Sequence, residues 1–588
     1  MTLDKQVVFR WSDYDVNTVE TREIYCMLRY LILSSFLFMT SLQSEVIVPK
    51  VSDFSIDTLA VDLYDPMEMD IAKDGKVFIA ELKGDIKLFD PSLNETKVIA
   101  HFDVVFKDKH RKTWDKESGV MGLALAPDFE ESRWVYITYS QAEDDDYVLN
   151  HRVSRFKFDG EKLDRASEQV ILKIPARRDN NRLHEGGSLD FDKDGNLYIS
   201  VGDNQLRDIY LYAARTASNS AVLNGKILRI HPEEDGSYTI PEGNLFKPGT
   251  PKTQPEIYVM GCRNPFRIHV DQTNGHLYWG ENGPPDHFSG LAKIDKGILP
   301  EGYDEFNVAK GPGYHGWPFV VGNNQGFPSY NAKTKEVGPL YDGDSIINDL
   351  PMNHGLTKLP KVVSPMVWYS HKPSPDFPSV GQGSNSAIAG PVFHWREGLA
   401  KDAFPKYFDN CWFIADWSRS WVKMVRLGEG PTKLEEFLGD IVYSKPINLK
   451  FSHEGYLYIL LYGTKGGWES TDGSLIRIRH DKKGENGLIS VVDESIKGLD
   501  KNHPGTKLII KNNCYACHKT KETTIGPSYQ AVADRYVCDQ DTIKELSKKI
   551  TGGSAGTWGN TYAMPGHAYL KKKELKQILD VIFTLKKE

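Results

Sequence analysis

The chain is expected to hold two architectures in series: a long all-β segment over residues 50–480 and a small all-α domain over residues 506–588. Three observations carry this. First, one phrase recurs in the long segment: a polar residue, Gly, one residue, an apolar residue and an aromatic. It is Asp74-Gly75-Lys76-Val77-Phe78, Asp194-Gly195-Asn196-Leu197-Tyr198, Asn274-Gly275-His276-Leu277-Tyr278 and Glu454-Gly455-Tyr456-Leu457-Tyr458. Second, Leu575, Ile578, Leu579 and Ile582 recur at three- and four-residue spacing near the C-terminus, a helical period. Third, the motif Cys514-Tyr515-Ala516-Cys517-His518 stands between the two patterns.

Each Gly phrase reads as a hairpin turn entering a half-buried strand. Trp134-Val135-Tyr136-Ile137-Thr138-Tyr139 is another such strand without the Gly turn. The glycines lie 120, 80 and 180 residues apart (195 − 75, 275 − 195, 455 − 275), which fits a unit of several tens of residues with insertions. Repeated hairpins over such a length point to a β-propeller, with a β-sandwich array as the alternative. Asp190-x-Asp192-x-Asp194-Gly195 imitates the start of an EF-hand loop, but its twelfth position is Val201 where a bidentate Glu is required, so it reads as a charged hairpin turn.

Residues 27–45 read as a signal peptide, with Arg29 ahead of a short apolar run from Leu31 to Met39. That run is too short for a comfortable membrane span, so no transmembrane segment is expected in a mature protein. Residues 1–26 are polar and acidic, wrong for the start of a signal, and Met27 is the expected start. Residues 481–505 are polar and read as a linker. Residues 541–549 and 572–585 read as helices.

With 588 residues the chain exceeds one ordinary domain, and with 40% hydrophobic and 26% charged residues its composition is globular. A net charge of −8 argues against nucleic acid and anionic membrane as partners. Apart from the paired Cys514 and Cys517, the cysteines are scattered and give no disulfide framework; a Cys262–Cys411 bridge is an open question.

Two cysteines three apart with His next is the c-type haem attachment pattern: each thiol adds to a haem vinyl group and the imidazole reaches the iron. A zinc site would need two more ligands, and no second Cys-x-x-Cys exists. Ile525-Gly526-Pro527 can set a carbonyl against the His518 imidazole, and Met564, 46 residues on (564 − 518), can supply a thioether from the far side. Over roughly its last ninety residues the chain resembles class I cytochrome c. Covalent haem of this kind is normally added after export, so a periplasmic or secreted location is expected.

The long segment carries four further motifs: Leu183-His184-Glu185-Gly186-Gly187-Ser188-Leu189, Val201-Gly202-Asp203-Asn204, Gly261-Cys262-Arg263-Asn264-Pro265 and Glu281-Asn282-Gly283-Pro284. As an ordered set over residues 60–480 they resemble the soluble PQQ-dependent glucose/sorbosone (aldose) dehydrogenases. The resemblance implies a six-bladed propeller with PQQ on the channel axis and calcium beneath it. It implies His184 as the general base on a sugar hydroxyl, a task an imidazole suits, and Asp203 as the group that orients it. It implies Arg263 and Asn264 at the quinone oxygens, and the main-chain carbonyls of Gly283 and Pro284 on calcium. The sequence departs from the family at Leu183, where an aspartate is usual. In place of the family's lysine and arginine pair stand Arg419 and Lys445. Trp317 reads as core rather than a sugar platform; Trp368-Tyr369 fits either role.

The reading is an exported quinohaemoprotein dehydrogenase that oxidises a sugar or related hydroxyl compound at PQQ and passes electrons to its own haem. From there they go to a soluble cytochrome, a copper protein or a membrane oxidase. The alternative is an electron-transfer cytochrome whose propeller is a non-catalytic binding module.

Overall fold

The structure, a computed structural model, describes residues 48–104, 118–141, 148–177, 184–204, 216–284, 299–331, 334, 336–350, 352–439, 441, 443–464, 469–481, 496–512, 514–516, 518–523, 526–553, 558, 564, 567 and 570–586. The expected extension and signal peptide over residues 1–45, Leu183 and Cys517 lie outside them. Among the described residues no helix is long and apolar enough to cross a membrane.

Six sheets form the propeller, five of them four-stranded and antiparallel and the third six-stranded with one parallel pair. Their innermost strands are Pro66–Ile71 (blade 1), Val120–Leu125 (blade 2), Gly186–Phe191 (blade 3), Pro265–Val270 (blade 4), Ala387–Phe393 (blade 5) and Pro446–Phe451 (blade 6). These six touch one another in that order and close into a ring. Blade 6 takes its outermost strand, Ser55–Leu63, from the start of the segment, paired antiparallel with Gly473–Arg479. The ring is thus closed by strand pairing between its two chain ends.

All four Gly phrases occupy one structural position, the turn from the innermost to the second strand, in blades 1, 3, 4 and 6. Gly75, Gly195, Gly275 and Gly455 have φ of 83°, 81°, 72° and 89°, the left-handed region that favours glycine. In blades 2 and 5 the equivalent turn ends on Arg133 (φ 60°) and Asn410 (φ 58°). That explains the uneven Gly intervals: the phrase skips two blades. Asp192 caps the turn in blade 3, its Oδ1 accepting from the Asp194 and Asn196 amides at 3.0 and 2.9 Å. The acidic run there is a hairpin turn.

One expectation needs correction. The strands entered by the phrases, Val77–Glu81, Leu197–Val201, Leu277–Glu281 and Leu457–Leu461, are buried along their whole length. Each blade is sandwiched between two others, so both faces of its inner strands are covered, and polar alternation is lost. Cys262 and Cys411 are both buried and free, which answers the question of their pairing.

Among the described residues the small domain has four α-helices: α1 (Pro504–Lys511), α2 (Tyr529–Arg535), α3 (Gln540–Gly552) and α4 (Lys572–Phe583). His503, Ser528 and Asp539 cap α1, α2 and α3 by accepting from backbone amides. The apolar stripe of α4 is buried, as its period requires. A side chain at Gly505 would strike the Gln577 carbonyl, so α1 and α4 cross backbone to backbone there. Ile496 and Leu499, from the stretch read as linker, pack into this domain's core.

Candidate active site and haem site

The innermost strands begin, and the second strands end, on one face of the propeller. Every candidate residue of the long segment lies at that face. His184 precedes the innermost strand of blade 3 and Asp203 follows its second strand; Arg263 and Asn264 hold the same place in blade 4 as Gly283 and Pro284 follow; Arg419 and Lys445 stand in the corresponding turns of blades 5 and 6. Backbone strain gathers at this rim. His184, Asn204, Ser420 and Lys445 have φ of 61°, 51°, 57° and 57°. A non-glycine residue held so costs about 1–3 kcal/mol, the kind of cost that recurs at functional sites.

His184 and Asp203 meet. The buried imidazole Nδ1 lies 2.7 Å from Asp203 Oδ1. The carboxylate fixes the tautomer with the proton on Nδ1, which leaves Nε2 as the basic nitrogen. A side chain on Gly202 would strike the His184 carbonyl, so the two segments run in contact. The Asp203 amide donates to the Arg263 carbonyl at 2.7 Å, and the Gly186 amide to Asn264 Oδ1 at 3.2 Å. These bonds join the His184–Asp203 pair to the Arg263-Asn264 turn in one rigid rim.

That turn sits on a buried carboxylate. Glu281 Oε1 accepts from both the Arg263 and Asn264 amides. Burial, and then the Glu305 carboxylate, push the Glu281 carboxyl up to about 8. The Arg263 guanidinium itself donates to the Asn282 carbonyl at 2.7 Å and lies 5.9 Å from the Trp317 ring centre. Its charge also acts on the buried Asp304 carboxyl. Asp304 holds the Gly283 amide at 3.0 Å. Burial, and then Asp416, push its carboxyl up to about 6.

Arg419 is buried, and its fork donates to the carbonyls of Ser370, Val380, Gly383 and Ser384 over the face of Tyr369. Such a fork offers an anion its charge rather than a bidentate clamp. Lys445 Nζ sits 4.4 Å from the Trp417 ring centre. Beside it, Trp417 Nε1 and Ser444 Oγ are buried without a hydrogen-bond partner among the described residues. Two unspent polar groups next to a cation suit an anionic, oxygen-rich cofactor. For calcium the fit is narrower. Among the described residues no three His, Cys, Asp or Glu side chains form a metal cluster. A calcium ion at Gly283 and Pro284 would rest on main-chain carbonyls and on oxygens of the cofactor.

Below the rim the channel is closed. Arg267, fully buried on blade 4, donates to the carbonyls of Met67 on blade 1 and Ile447 on blade 6. Lys450 on blade 6 lies 3.3 Å from Asp190 on blade 3 and 3.9 Å from Asp70 on blade 1. In a ring of six, blades 1 and 4 are opposite, as are 3 and 6. Two cations therefore span the channel below the rim. The sequence motifs did not reveal this layer, because its members come from four distant strands.

In the small domain His518 Nδ1 donates to the Pro527 carbonyl at 2.8 Å. This turns Nε2 to the other side of the ring, the arrangement in which metal-binding imidazoles are usually held. A side chain at Gly526 would collide with the His518 ring, so glycine is needed for the approach. Tyr529 stacks near-parallel on the imidazole at 5.7 Å. Cys514 is half-buried in the turn before His518, and Met564 is also half-buried. Protein denatured in acid acetone is expected to keep its haem spectrum, and Met564→Ala to keep haem but lower its potential. Haem released into the solvent would contradict the covalent link.

Residues 63–341 match the family model described as "Glucose / Sorbosone dehydrogenase", and residues 503–586 that described as "Cytochrome c". The chain is 30% identical over 260 residues to an uncharacterised protein of Synechocystis, covering 43% of this chain and 57% of that one. It is 26% identical over 308 residues to quinoprotein glucose dehydrogenase B of Acinetobacter calcoaceticus, covering 49% and 58%. The chain therefore spans just over half the length of these relatives. Its end is 38% identical over 76 residues to cytochrome c-552 of Nitrosomonas europaea, covering 13% of this chain and 73% of that one. The chain thus carries a glucose/sorbosone dehydrogenase domain, built as a six-bladed propeller, followed by a cytochrome c domain.

Proposed function

We propose that this is an exported quinohaemoprotein dehydrogenase, which oxidises a sugar or related hydroxyl compound with PQQ and delivers the electrons to its own c-type haem. The observation that carries the reading is the joined rim: a buried imidazole on a carboxylate at 2.7 Å, hydrogen-bonded through Asp203 and Gly186 to the Arg263-Asn264 turn. A base and a charge-stabilising pair held in one frame suit removal of hydrogen from a carbinol.

Nε2 of His184 takes the hydroxyl proton of the substrate, and Asp203 stabilises the imidazolium that forms. PQQ, when bound, supplies the electrophilic quinone that accepts hydride. Arg263 and Asn264 would hold its quinone oxygens and favour the negative charge that develops there. Lys445, with Trp417 Nε1 and Ser444 Oγ, would meet its carboxylates, and Arg419 would add positive charge from within the wall. Gly283 and Pro284 would hold calcium through main-chain carbonyls. In the small domain Cys514 and Cys517 would bind haem covalently, with His518 and Met564 on the iron, for onward transfer to a soluble cytochrome, a copper protein or a membrane oxidase.

The test is haem absorbance while purified protein is offered a panel of sugars, with and without added PQQ and calcium. At least one sugar should reduce the haem only when both are present. Haem reduction that ignores PQQ and calcium, or none with any sugar, would instead favour a binding module that carries a cytochrome.

A further inference from the structure

We propose that Trp317 is a positioning residue for the His184–Asp203 pair: its indole N–H holds the second oxygen of Asp203 and so sets how strongly that carboxylate draws on the imidazole proton. The proposal rests on the reading of His184 as the base. The Asp203 carboxylate is shared: Oδ1 faces His184 Nδ1 at 2.7 Å, and Oδ2 accepts from Trp317 Nε1 at 2.8 Å. All three side chains are buried.

The indole arrives from elsewhere in the chain. Trp317 lies in an insertion between the third and fourth strands of blade 4, and this insertion reaches back to blade 3, where Gly313–Tyr314 pairs in parallel with Ile257–Met260. Its backbone is pinned on both sides: the Trp317 amide donates to the Gly261 carbonyl at 3.1 Å, and the Trp317 carbonyl accepts from Ser218 Oγ at 2.6 Å. Phe327 packs edge-on against the indole at 6.0 Å. A side chain at Gly316 would strike Val320, so the turn is built for close packing. An indole fixed this firmly has little freedom except to offer its one N–H to Asp203.

The direction of the effect follows from charge. A carboxylate that loses one of its donors becomes more basic. Without the indole N–H, Asp203 would hold the His184 proton more strongly and favour the imidazolium. Among the described residues, the other charged groups around the pair stay in place: Arg263 near the Trp317 ring, Lys226 behind Asp203, Glu185 with its His151 partner at 3.1 Å, and Glu281 beneath the Arg263 turn. Lys226 donates to three carbonyls, those of Thr216, Ala217 and Asn224. The Trp317 contact is thus a neutral one, separable from the charges.

Trp317→Phe keeps an aromatic ring and removes the N–H. In the full-length, haem-loaded protein, the His184 imidazole pKa followed by NMR is expected to rise by about half a unit to one unit. The acid limb of kcat/KM should move by the same amount. In an Asp203→Asn background, Trp317→Phe should cause no further shift. A merely structural role predicts lost stability with the pKa unmoved. A second measurement needs no change at Trp317: in Asp203→Asn the Trp317 indole N–H resonance should move upfield from its hydrogen-bonded position. An unchanged His184 pKa in Trp317→Phe, an equal shift in the Asp203→Asn background, or an indole resonance indifferent to Asp203→Asn would overturn the proposal. The NMR readouts need neither sugar nor PQQ, so failure of the dehydrogenase reading would show separately, as absence of sugar-dependent haem reduction.

Discussion

His184→Ala is expected to slow sugar-dependent haem reduction by about 10²- to 10⁴-fold, the usual worth of a positioned acid–base group. PQQ binding should be nearly unchanged, because the base acts on the substrate hydroxyl. Asp203→Asn should lose less: an amide still fills the site beside Nδ1, but no longer stabilises the imidazolium. Arg263→Ala should show the opposite split and chiefly weaken PQQ binding, since it removes a cation from an anionic cofactor. The measurement is single-turnover haem reduction with saturating sugar, beside PQQ titration by fluorescence. A His184→Ala protein that reduces haem at the wild-type rate would remove the base from this site and the dehydrogenase assignment with it.

Much of this architecture was legible because its signals are local. A Gly phrase needs only five neighbouring residues, and four such phrases mark four of the six blades at the same turn. The other two were obscured because Arg133 and Asn410 take the left-handed backbone without glycine. The Pro527 carbonyl on His518 was foreseeable for the same reason of nearness, nine residues apart. The His184–Asp203 bond and the joined rim follow the ordered motifs. What stayed hidden depends on distant strands. Trp317 reads as core from sequence, and buried it is, but its tie to Asp203 spans 114 residues. Arg419 reads as a cofactor cation, yet its fork ends on carbonyls of residues 35–49 positions earlier. The channel closure joins residues as far apart as Lys450 and Asp190, 260 positions, and Lys450 and Asp70, further still, and no spacing rule foretells it.

Arg267→Ala tests that closure, with an expected loss of about 3–5 kcal/mol of stability, the scale for removing one partner from a buried charged network. Arg267 is fully buried three residues along the strand from Asn264, roughly 10 Å below the rim at about 3.3 Å per residue. It satisfies the carbonyls of Phe266, Met67 and Ile447, and its charge acts on Glu68. Glu68 is held by Ser188 Oγ and by the Leu123 amide at 3.0 Å, and burial pushes its carboxyl up to about 6 despite Arg267. Truncation to Ala would remove the donor to three carbonyls and leave Glu68 with Lys450 but without the stronger of its two nearby cations. The pH dependence has a definite sign. A carboxyl raised above its unfolded value binds its proton more tightly in the folded protein, so its contribution is most favourable at low pH and is lost as pH rises through the folded value. Removing Arg267 raises the folded value further. The deficit of the variant relative to wild type should therefore be smallest near pH 5, where Glu68 is protonated in both folded proteins, and grow toward pH 8. Denaturant unfolding of the two proteins at pH 5 and pH 8 measures it. A loss below about 1 kcal/mol, or one equal at both pH values, would mean that the cations spanning the channel do not hold the blades together.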